Sequence, residues 1–166
     1  WRDEQRGRDR ARSHRRRYAK RHPSEPSIVA GRTNPVFDRD GVRYAINICN
    51  DANYPEAAPA LADHGAAVIC HPLDTMLSPG TAARWLGRSV ENLRARARRT
   101  GCRIVSADVT GSQGALLSHG CTMILRIDGV IAARIAENVE SAATYGVTDY
   151  LRATALDGRS DRRDGG

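Results

Sequence analysis

The chain has 166 residues, enough for one compact domain, and its 40% hydrophobic and 27% charged residues are ordinary for a globular protein. No apolar run approaches the roughly 20 residues of a membrane-spanning helix, and none follows the basic N-terminus, which argues against a membrane partner and a secretory signal. The cysteines are widely spaced and form no C-x-x-C pair, which disfavours zinc knuckles and disulfide frameworks and predicts reduced thiols in a cytoplasmic protein. These cysteines are Cys49, Cys70, Cys102 and Cys121.

The net charge of +7 is concentrated at the N-terminus. Ten of the 26 basic residues lie within residues 1–21 beside three acidic ones, so the rest of the chain carries equal numbers of both signs. Residues 1–17 lack apolar periodicity and are interpreted as a disordered or non-native basic tail, with a domain at 18–150 and a polar tail at 151–166. Because the charge belongs to a tail and not to a folded face, nucleic acid is disfavoured as a partner, although the tail could contact RNA or anionic lipid non-specifically.

The domain reads as alternating strands and helices. A short strand at 36–37 turns back at Asp40-Gly41, and residues 41–49 form a second strand with alternating apolar side chains. A short helix is predicted at 55–62, with Pro55 at its first position, followed by a strand at 66–70 that is buried on both faces. A long amphipathic helix at 81–99, a strand at 103–109 and a hairpin of 121–127 with 130–135 around Asp128-Gly129 complete the pattern. The fold class is therefore α/β with a mixed sheet.

No motif for a metal, a cofactor or a serine nucleophile is present. A metal site is conceivable from His64, Cys70, His71, His119 and Cys121, but it is disfavoured because their spacings are irregular. Cys70 and His71 also point to opposite faces if both lie in a strand. The glycines at 111–114 lack the lysine and helix of a phosphate loop, and no Gly-x-Ser-x-Gly elbow occurs. We expect neither a metal nor a cofactor.

Cys49 is the strongest candidate for a reactive group, because it lies where a strand meets a turn before a helix. Nearby backbone N–H groups and a helix start favour the thiolate, which is the nucleophilic form of cysteine. The alternative is an inert core cysteine, and we interpret the other three cysteines in that way. Lys20 is the single lysine among 26 basic residues, which indicates either chance or a need for a compact ammonium that arginine cannot replace.

Two segments carry a resemblance to a known family. The segment Ile46-Asn47-Ile48-Cys49-Asn50-Asp51-Ala52-Asn53-Tyr54-Pro55-Glu56 resembles the nucleophile motif of nitrilase-superfamily carbon–nitrogen hydrolases. Upstream, Tyr18-Ala19-Lys20-Arg21-His22-Pro23 resembles the Tyr-x-Lys-x-His motif of the same family. The resemblance spans roughly residues 18–147 and corresponds to the C-terminal portion of the family's domain.

The resemblance implies a partial α-β-β-α sandwich, in which a mixed sheet carries helices on one face. It implies hydrolysis of a small amide, N-carbamoyl or nitrile substrate through a thioester on Cys49. Lys20 and the backbone N–H of Asn50 would stabilise the tetrahedral intermediate, and Glu25 would position the lysine and the substrate. Asp51 would order the turn by accepting backbone hydrogen bonds, Glu56 would support the helix start, and a homodimer is expected.

One element of the family's machinery has no counterpart in the motifs above. The family uses a general-base glutamate on an earlier strand, whereas the acidic residues before Lys20 are Asp3, Glu4 and Asp9, which lie in the arginine-rich stretch. We therefore expect weak or no hydrolase activity from this chain, as a fragment, a frame-shifted product or a truncated paralogue. The rival hypothesis is a non-catalytic truncated paralogue that acts as an interaction module, or as a nucleic-acid- or anion-binding module, through the basic tail.

Overall fold

The computed structural model describes residues 17–146, which contain one six-stranded sheet, one two-stranded sheet and three helices. The strands are β1 (Val36–Arg39), β2 (Val42–Ile46), β3 (Val68–Leu73), β4 (Arg103–Asp108), β5 (Gly111–Gln113), β6 (Leu116–Ser118), β7 (Met123–Leu125) and β8 (Ile131–Arg134). The helices are α1 (Ala57–Asp63), α2 (Pro79–Thr100) and a 3-10 helix at Cys49–Asn53, which we name the Cys49 turn. None of the helices in residues 17–146 has the length and apolar character needed to cross a membrane.

The larger sheet is mixed, as predicted. Its strand order is β1-β2-β3-β4-β7-β8, with β2, β3 and β4 parallel and the remaining pairs antiparallel. The chain crosses from β2 to β3 through α1 and from β3 to β4 through α2. Both crossovers step in the same direction along the sheet, so their common right-handedness places both helices on one face. The carboxyl ends of the three parallel strands therefore meet at one edge, where ligands bind in open α/β sheets.

The core lies between this face and the two helices. Alternation along each strand sends Ala45, Ile69 and Ile104 under the helices, where all three are buried. The remaining core side chains come mainly from the helices and from β7. They include Ala58, Leu61, Leu93, Ala97, Met123 and Leu125.

The opposite face of the sheet is only partly covered. Val68 and Cys70 of β3 are half-buried there, although the apolar run at 66–70 predicted burial on both faces. That prediction was wrong because, in residues 17–146, helices pack against one side only. Cys70, interpreted as a core cysteine, therefore borders an open apolar concavity, whereas Cys102 and Cys121 are buried as expected. The predicted divergence of Cys70 and His71 is confirmed, since His71 is buried on the helix side.

The short helix begins later than its proline signal predicted. Pro55 lies in a turn before α1, and the helix starts at Ala57 with Glu56 at the N-cap, whose side chain makes no capping hydrogen bond. The role expected of Glu56 at the helix start is therefore not performed by a side-chain cap. Pro59 falls in the first turn of α1, where its missing N–H would have no intrahelical acceptor, so the helix tolerates it.

The hairpin around Asp128-Gly129 is confirmed with shorter strands and a longer loop. Arg126 N–H donates to Val130 O at 2.9 Å and Gly129 N–H to Arg126 O at 2.9 Å, which makes the connection three residues long. Gly129 takes a φ of 78°, the left-handed conformation that closes such loops. The small β5–β6 hairpin was not predicted, because residues 109–112 read as loop. The tails assigned to residues 1–17 and 151–166 lie outside the described residues, apart from Arg17.

Candidate active site

A cavity of about 320 Å³ lies at the carboxyl ends of β2 and β3. All four site residues named from the sequence border it, namely Lys20, Glu25, Cys49 and Asn50. Cys49 and Asn50 reach the cavity because the Cys49 turn follows β2 directly. Lys20 and Glu25 reach it from the segment before β1, which we name the lysine loop (residues 18–31). Two segments separated by about thirty residues thus meet at one cavity.

Cys49 occupies a strained backbone conformation at the start of its turn. Its φ is 44°, in the left-handed region that residues with a Cβ rarely adopt. The Cys49 thiol is half-buried, and its Sγ lies 3.9 Å from the carbonyl oxygen of Asp74, the residue that follows β3. Strained φ/ψ values of this kind cluster at functional sites, where the surrounding structure enforces them. The turn therefore presents the sulfur towards the cavity in a geometry that local propensity disfavours.

Asp51 joins the Cys49 turn to the lysine loop. Its carboxylate is fully buried and accepts hydrogen bonds from Ile48 N–H at 2.9 Å and from His22 N–H at 2.7 Å. The Tyr18 hydroxyl donates to the same carboxylate at 2.5 Å. The backbone role expected for Asp51 is therefore present, and two further donors come from the lysine loop. Burial raises the pKa of Tyr18 well above its usual value, and the Asp51 hydrogen bond and charge reinforce the shift.

Asn50 and Tyr54 add a second connection between the same two segments. Asn50 Nδ2 donates to His22 O at 2.8 Å, and the His22 ring stacks on Tyr54 with centroids 3.7 Å apart. On the other side of the loop, Gly31 N–H donates to Lys20 O at 2.8 Å. A side chain at Gly31 would overlap the carbonyl oxygen of Ala19, so only glycine permits this close approach. Lys20 is thus held from both sides of its backbone.

The Lys20 ammonium is nearly enclosed, with 12% of its side chain exposed, and lies 3.4 Å from Glu25 Oε2. Glu25 is half-exposed, and its own backbone N–H, followed by the charge of Lys20, lowers the pKa of its carboxyl. The Glu25 carboxylate is therefore ionised at neutral pH and orients the lysine. At this distance and exposure the ion pair contributes little to stability, so its main effect is positional.

The opposite wall of the cavity was not identified from the sequence. Trp85, Ser89, Asn92 and Arg96 line it from α2 at helical spacing. The periodicity of α2 indicated a core-facing stripe for Trp85, and it could not separate a core from a cavity. The polar residues within this stripe were the available signal, because a purely packed face would carry apolar side chains.

His71 forms the buried base of the cavity. It is 4% exposed, and its Nδ1 lies 2.5 Å from Asn47 O, so Nδ1 carries the proton and donates to that carbonyl. Burial, reinforced by the charge of Arg96, lowers the pKa of His71 to about 4. The imidazole is therefore neutral at pH 7, with its second nitrogen free of a proton. The sequence offered His71 only as a weak metal candidate.

A polar cluster links the ends of β3, β4 and β6 beside the cavity. Thr75 Oγ1 donates to Asp108 Oδ2 at 2.6 Å and Thr75 N–H donates to Oδ1 at 3.2 Å, while the Ser118 hydroxyl lies 2.8 Å from Thr75 Oγ1. Burial raises the pKa of Asp108, and the Thr75 hydrogen bonds oppose that shift. The cluster orders the loop after β3 that supplies Asp74 and Thr75 to the cavity. In residues 17–146 no three His, Cys, Asp or Glu side chains are grouped to hold a metal ion.

The assembled groups suit addition of a nucleophile to a polarised carbon. A half-buried thiol, an oriented ammonium and backbone N–H groups of a tight turn border one small cavity. Donors of this kind stabilise the oxyanion that develops when a thiolate attacks a carbonyl or nitrile carbon.

Comparison with known proteins gives a family match and several structural neighbours. A family model described as carbon-nitrogen hydrolase matches residues 5–155, whereas no curated protein sequence matches the chain. An amidase of the nitrilase superfamily from Nesterenkonia AN1 superposes with a TM-score of 0.63 at 23% identity, covering 86% of this chain and 55% of that one. In one variant of that amidase the acetamide moiety of fluoroacetamide is covalently attached to the active-site cysteine.

Two further solved structures share the fold. A carbon-nitrogen hydrolase from Helicobacter pylori G27 has a TM-score of 0.65 at 20% identity, covering 87% of this chain and 57% of that one. A glutamine-dependent NAD+ synthetase from Acinetobacter baumannii has a TM-score of 0.65 at 18% identity, covering 75% and 24%. The chain thus spans about half, or less, of these proteins. With the family match over most of its length, the chain belongs to the carbon–nitrogen hydrolase family.

Proposed function

We propose that this chain carries the nucleophile half of a hydrolase for non-peptide carbon–nitrogen bonds, with Cys49 as the nucleophile. The observation that carries the proposal is the convergence of Cys49 and Lys20 on one cavity, enforced by the buried carboxylate of Asp51. A structural cysteine would not require a strained backbone, a nearly enclosed lysine and a dedicated anchor between two distant segments. The substrate is a small amide, N-carbamoyl compound or nitrile.

The reaction begins when the Cys49 thiolate adds to the carbon of the amide. The carbonyl oxygen becomes negative, and the Lys20 ammonium and the backbone N–H of Asn50 stabilise it. The tetrahedral intermediate collapses by breaking the C–N bond, and the nitrogen leaves as ammonia or an amine after taking up a proton. Water then adds to the thioester, which releases the carboxylic acid and restores the thiol.

Turnover by this chain alone is expected to be slow. Both proton transfers need a base near the sulfur, and among residues 17–146 the Cys49 thiol has one hydrogen-bond contact, to the carbonyl oxygen of Asp74. Glu25 is engaged with Lys20 at 3.4 Å and its lowered pKa makes it a weak base. The site can therefore hold and orient a substrate more readily than it can complete the cycle.

Thiol alkylation of the full 166-residue chain tests the proposal. Iodoacetamide labelling, followed residue by residue by mass spectrometry, should modify Cys49 at least about ten-fold faster than Cys70, the other half-buried cysteine. Lys20→Met should slow the labelling of Cys49 and leave Cys70 unchanged, because only Cys49 shares a cavity with the lysine. Arg88→Met, an exposed cation on α2, is the matched control.

Equal labelling rates of Cys49 and Cys70 would contradict the role of Cys49 as the nucleophile and would favour the non-catalytic interaction module. Turnover is measured in parallel with simple amides and hydroxylamine, which converts an acyl thioester into a hydroxamate. We expect a slow signal that disappears in Cys49→Ala and persists in Cys70→Ala. Turnover at ordinary enzyme rates would contradict the expected impairment.

A further inference from the structure

Arg96 is a half-buried cation on the cavity wall that the reaction above does not use. It lies on α2 and borders the same cavity as Cys49 and Lys20. Its Nε is buried and has no hydrogen-bond acceptor in the described part of the chain. No acidic side chain within residues 17–146 forms an ion pair with Arg96 either.

A guanidinium whose buried Nε has no acceptor is unfavourable for the stability of the folded chain. Withdrawing even part of a charge from water without a counter-ion is unfavourable, so arginines that are partly removed from solvent are normally paired. The effect is visible in Arg96 itself, because burial, with a contribution from the charge of Arg99, lowers the pKa of Arg96 to about 10. The arginine still remains charged at neutral pH, and among residues 17–146 no acidic side chain pairs with it.

The other charges of the cavity do not supply this partner. Glu25 is paired with Lys20, and Asp74 is exposed and takes part in no ion pair among the described residues. His71, whose pKa is lowered partly by the charge of Arg96, is neutral and adds no negative charge. The Arg96 guanidinium on the α2 side of the cavity is therefore without a paired carboxylate in the part of the chain that the structure describes.

We propose that Arg96 binds a carboxylate of the substrate, so that the site takes small amides that carry an acid group away from the scissile C–N bond. This inference rests on the proposed function and deepens it by naming the substrate class. The planar guanidinium matches a carboxylate through two parallel hydrogen bonds, which a lysine cannot offer. Trp85 and Asn92 of the same helix stripe form the walls beside it, and a cavity of about 320 Å³ suits a ligand of this size.

Protection of Cys49 from iodoacetamide tests the assignment on the full chain. Succinamate and succinamide share the same amide, and only succinamate carries a carboxylate. Succinamate should protect Cys49 at about ten-fold lower concentration, since a charge-assisted pair in a desolvated site contributes roughly that factor. Arg96→Gln should reduce the difference to less than about two-fold, whereas Arg88→Gln, which removes an exposed charge from the same helix, should leave it intact.

Each outcome has one meaning. Equal protection by the two ligands, or a preference that survives in Arg96→Gln, overturns the role of Arg96. A preference lost in Lys20→Gln and kept in Arg96→Gln assigns the carboxylate to the lysine instead. Fast labelling of Cys49 without protection by either ligand also overturns the inference, while slow labelling overturns the proposed function itself. If Arg96→Gln does not fold, Arg96→Lys keeps the charge, and a preference reduced but not abolished supports the bidentate contact.

Discussion

The two faces of the six-stranded sheet are built from the same strands and have different surroundings. On the helix side, Ile69 and Ile104 are at most 2% exposed beneath α1 and α2. On the other side, their neighbours Val68 and Val105 border an apolar concavity of about 560 Å³ that Tyr145 also lines. Both faces are apolar, so composition does not distinguish them. The difference shows that burial in this chain is decided by which face the crossover helices cover.

On the helix side of the sheet, the buried side chains change from apolar to polar along the strands. At the carboxyl edge, a polar row continues the columns of the apolar core, with Asn47, His71 and Ser106 each two residues beyond a buried apolar residue. All three are nearly inaccessible, and His71 belongs to the cavity wall. The open face has no comparable row among the residues described. Burying a polar group lowers stability unless the group is hydrogen-bonded. A row of such groups beside the cavity therefore indicates that this edge of the sheet serves function.

The largest expected difference between the faces concerns two isoleucines. Ile69→Ala on the helix side should reduce the free energy of unfolding by about 3–4 kcal/mol, because it leaves a cavity in a packed core. Ile124→Ala, on the open face, should cost only about 1 kcal/mol, since that side chain is half-buried. Urea denaturation measures both. Equal losses would mean that another segment or another molecule covers the open face in solution.

The stability of the folded chain should depend on pH through His71, which belongs to the polar row on the helix side. His71 has a pKa of about 4 in the folded chain, below its usual value, so the unfolded state takes up a proton first as the pH falls. The stabilisation is complete above about pH 6.5 and is lost progressively towards pH 4, by up to about 3 kcal/mol. Denaturant unfolding at pH 7 and pH 4.5 should show most of this loss. His71→Gln should flatten the profile, whereas His64→Gln, an exposed histidine, should retain it.

The smallest expected difference concerns two thiols. Cys70 borders the open face and Cys102 is buried beside the core, and burial raises the pKa of both thiols. Access should therefore decide their rates, and iodoacetamide should label Cys70 at least about ten-fold faster at pH 8. In denaturing urea the two rates should converge. Faster labelling of Cys102 in the folded chain would contradict the arrangement of the two faces.

Much of the fold and part of the site could be predicted from local patterns. The alternation in β2, the helical period of α2 and the Asp128-Gly129 hairpin were readable because each depends on residues close together in the chain. The boundaries were less accurate, since Pro55 could equally precede α1 as begin it. The β5–β6 hairpin was missed because its strands are three residues long and carry no apolar alternation.

The candidate site, like the fold, could be predicted only where its residues form local patterns. Cys49 and Lys20 could be singled out because a strand-to-turn junction and a lone lysine are visible in the sequence, and because two motifs resemble one family. The roles of Tyr18 and His22 as donors to Asp51 were not visible, since these contacts join residues 29 and 33 positions apart. Long-range hydrogen bonds leave no local pattern, and only the folded chain displays them.

What the sequence determined about this chain is most of its helices and strands, because propensities and periods act over short distances. It also singled out Cys49 and Lys20 as candidate reactive groups, because their motifs are local. What the tertiary structure decided is which apolar face becomes a core, and which polar side chains of α2 turn towards the thiol. The physical reason is that a helical stripe or a strand alternation specifies directions but not the neighbours found there. Arg96 illustrates this, since only the folded chain places it in the same cavity lining as His71, with no acidic partner among residues 17–146.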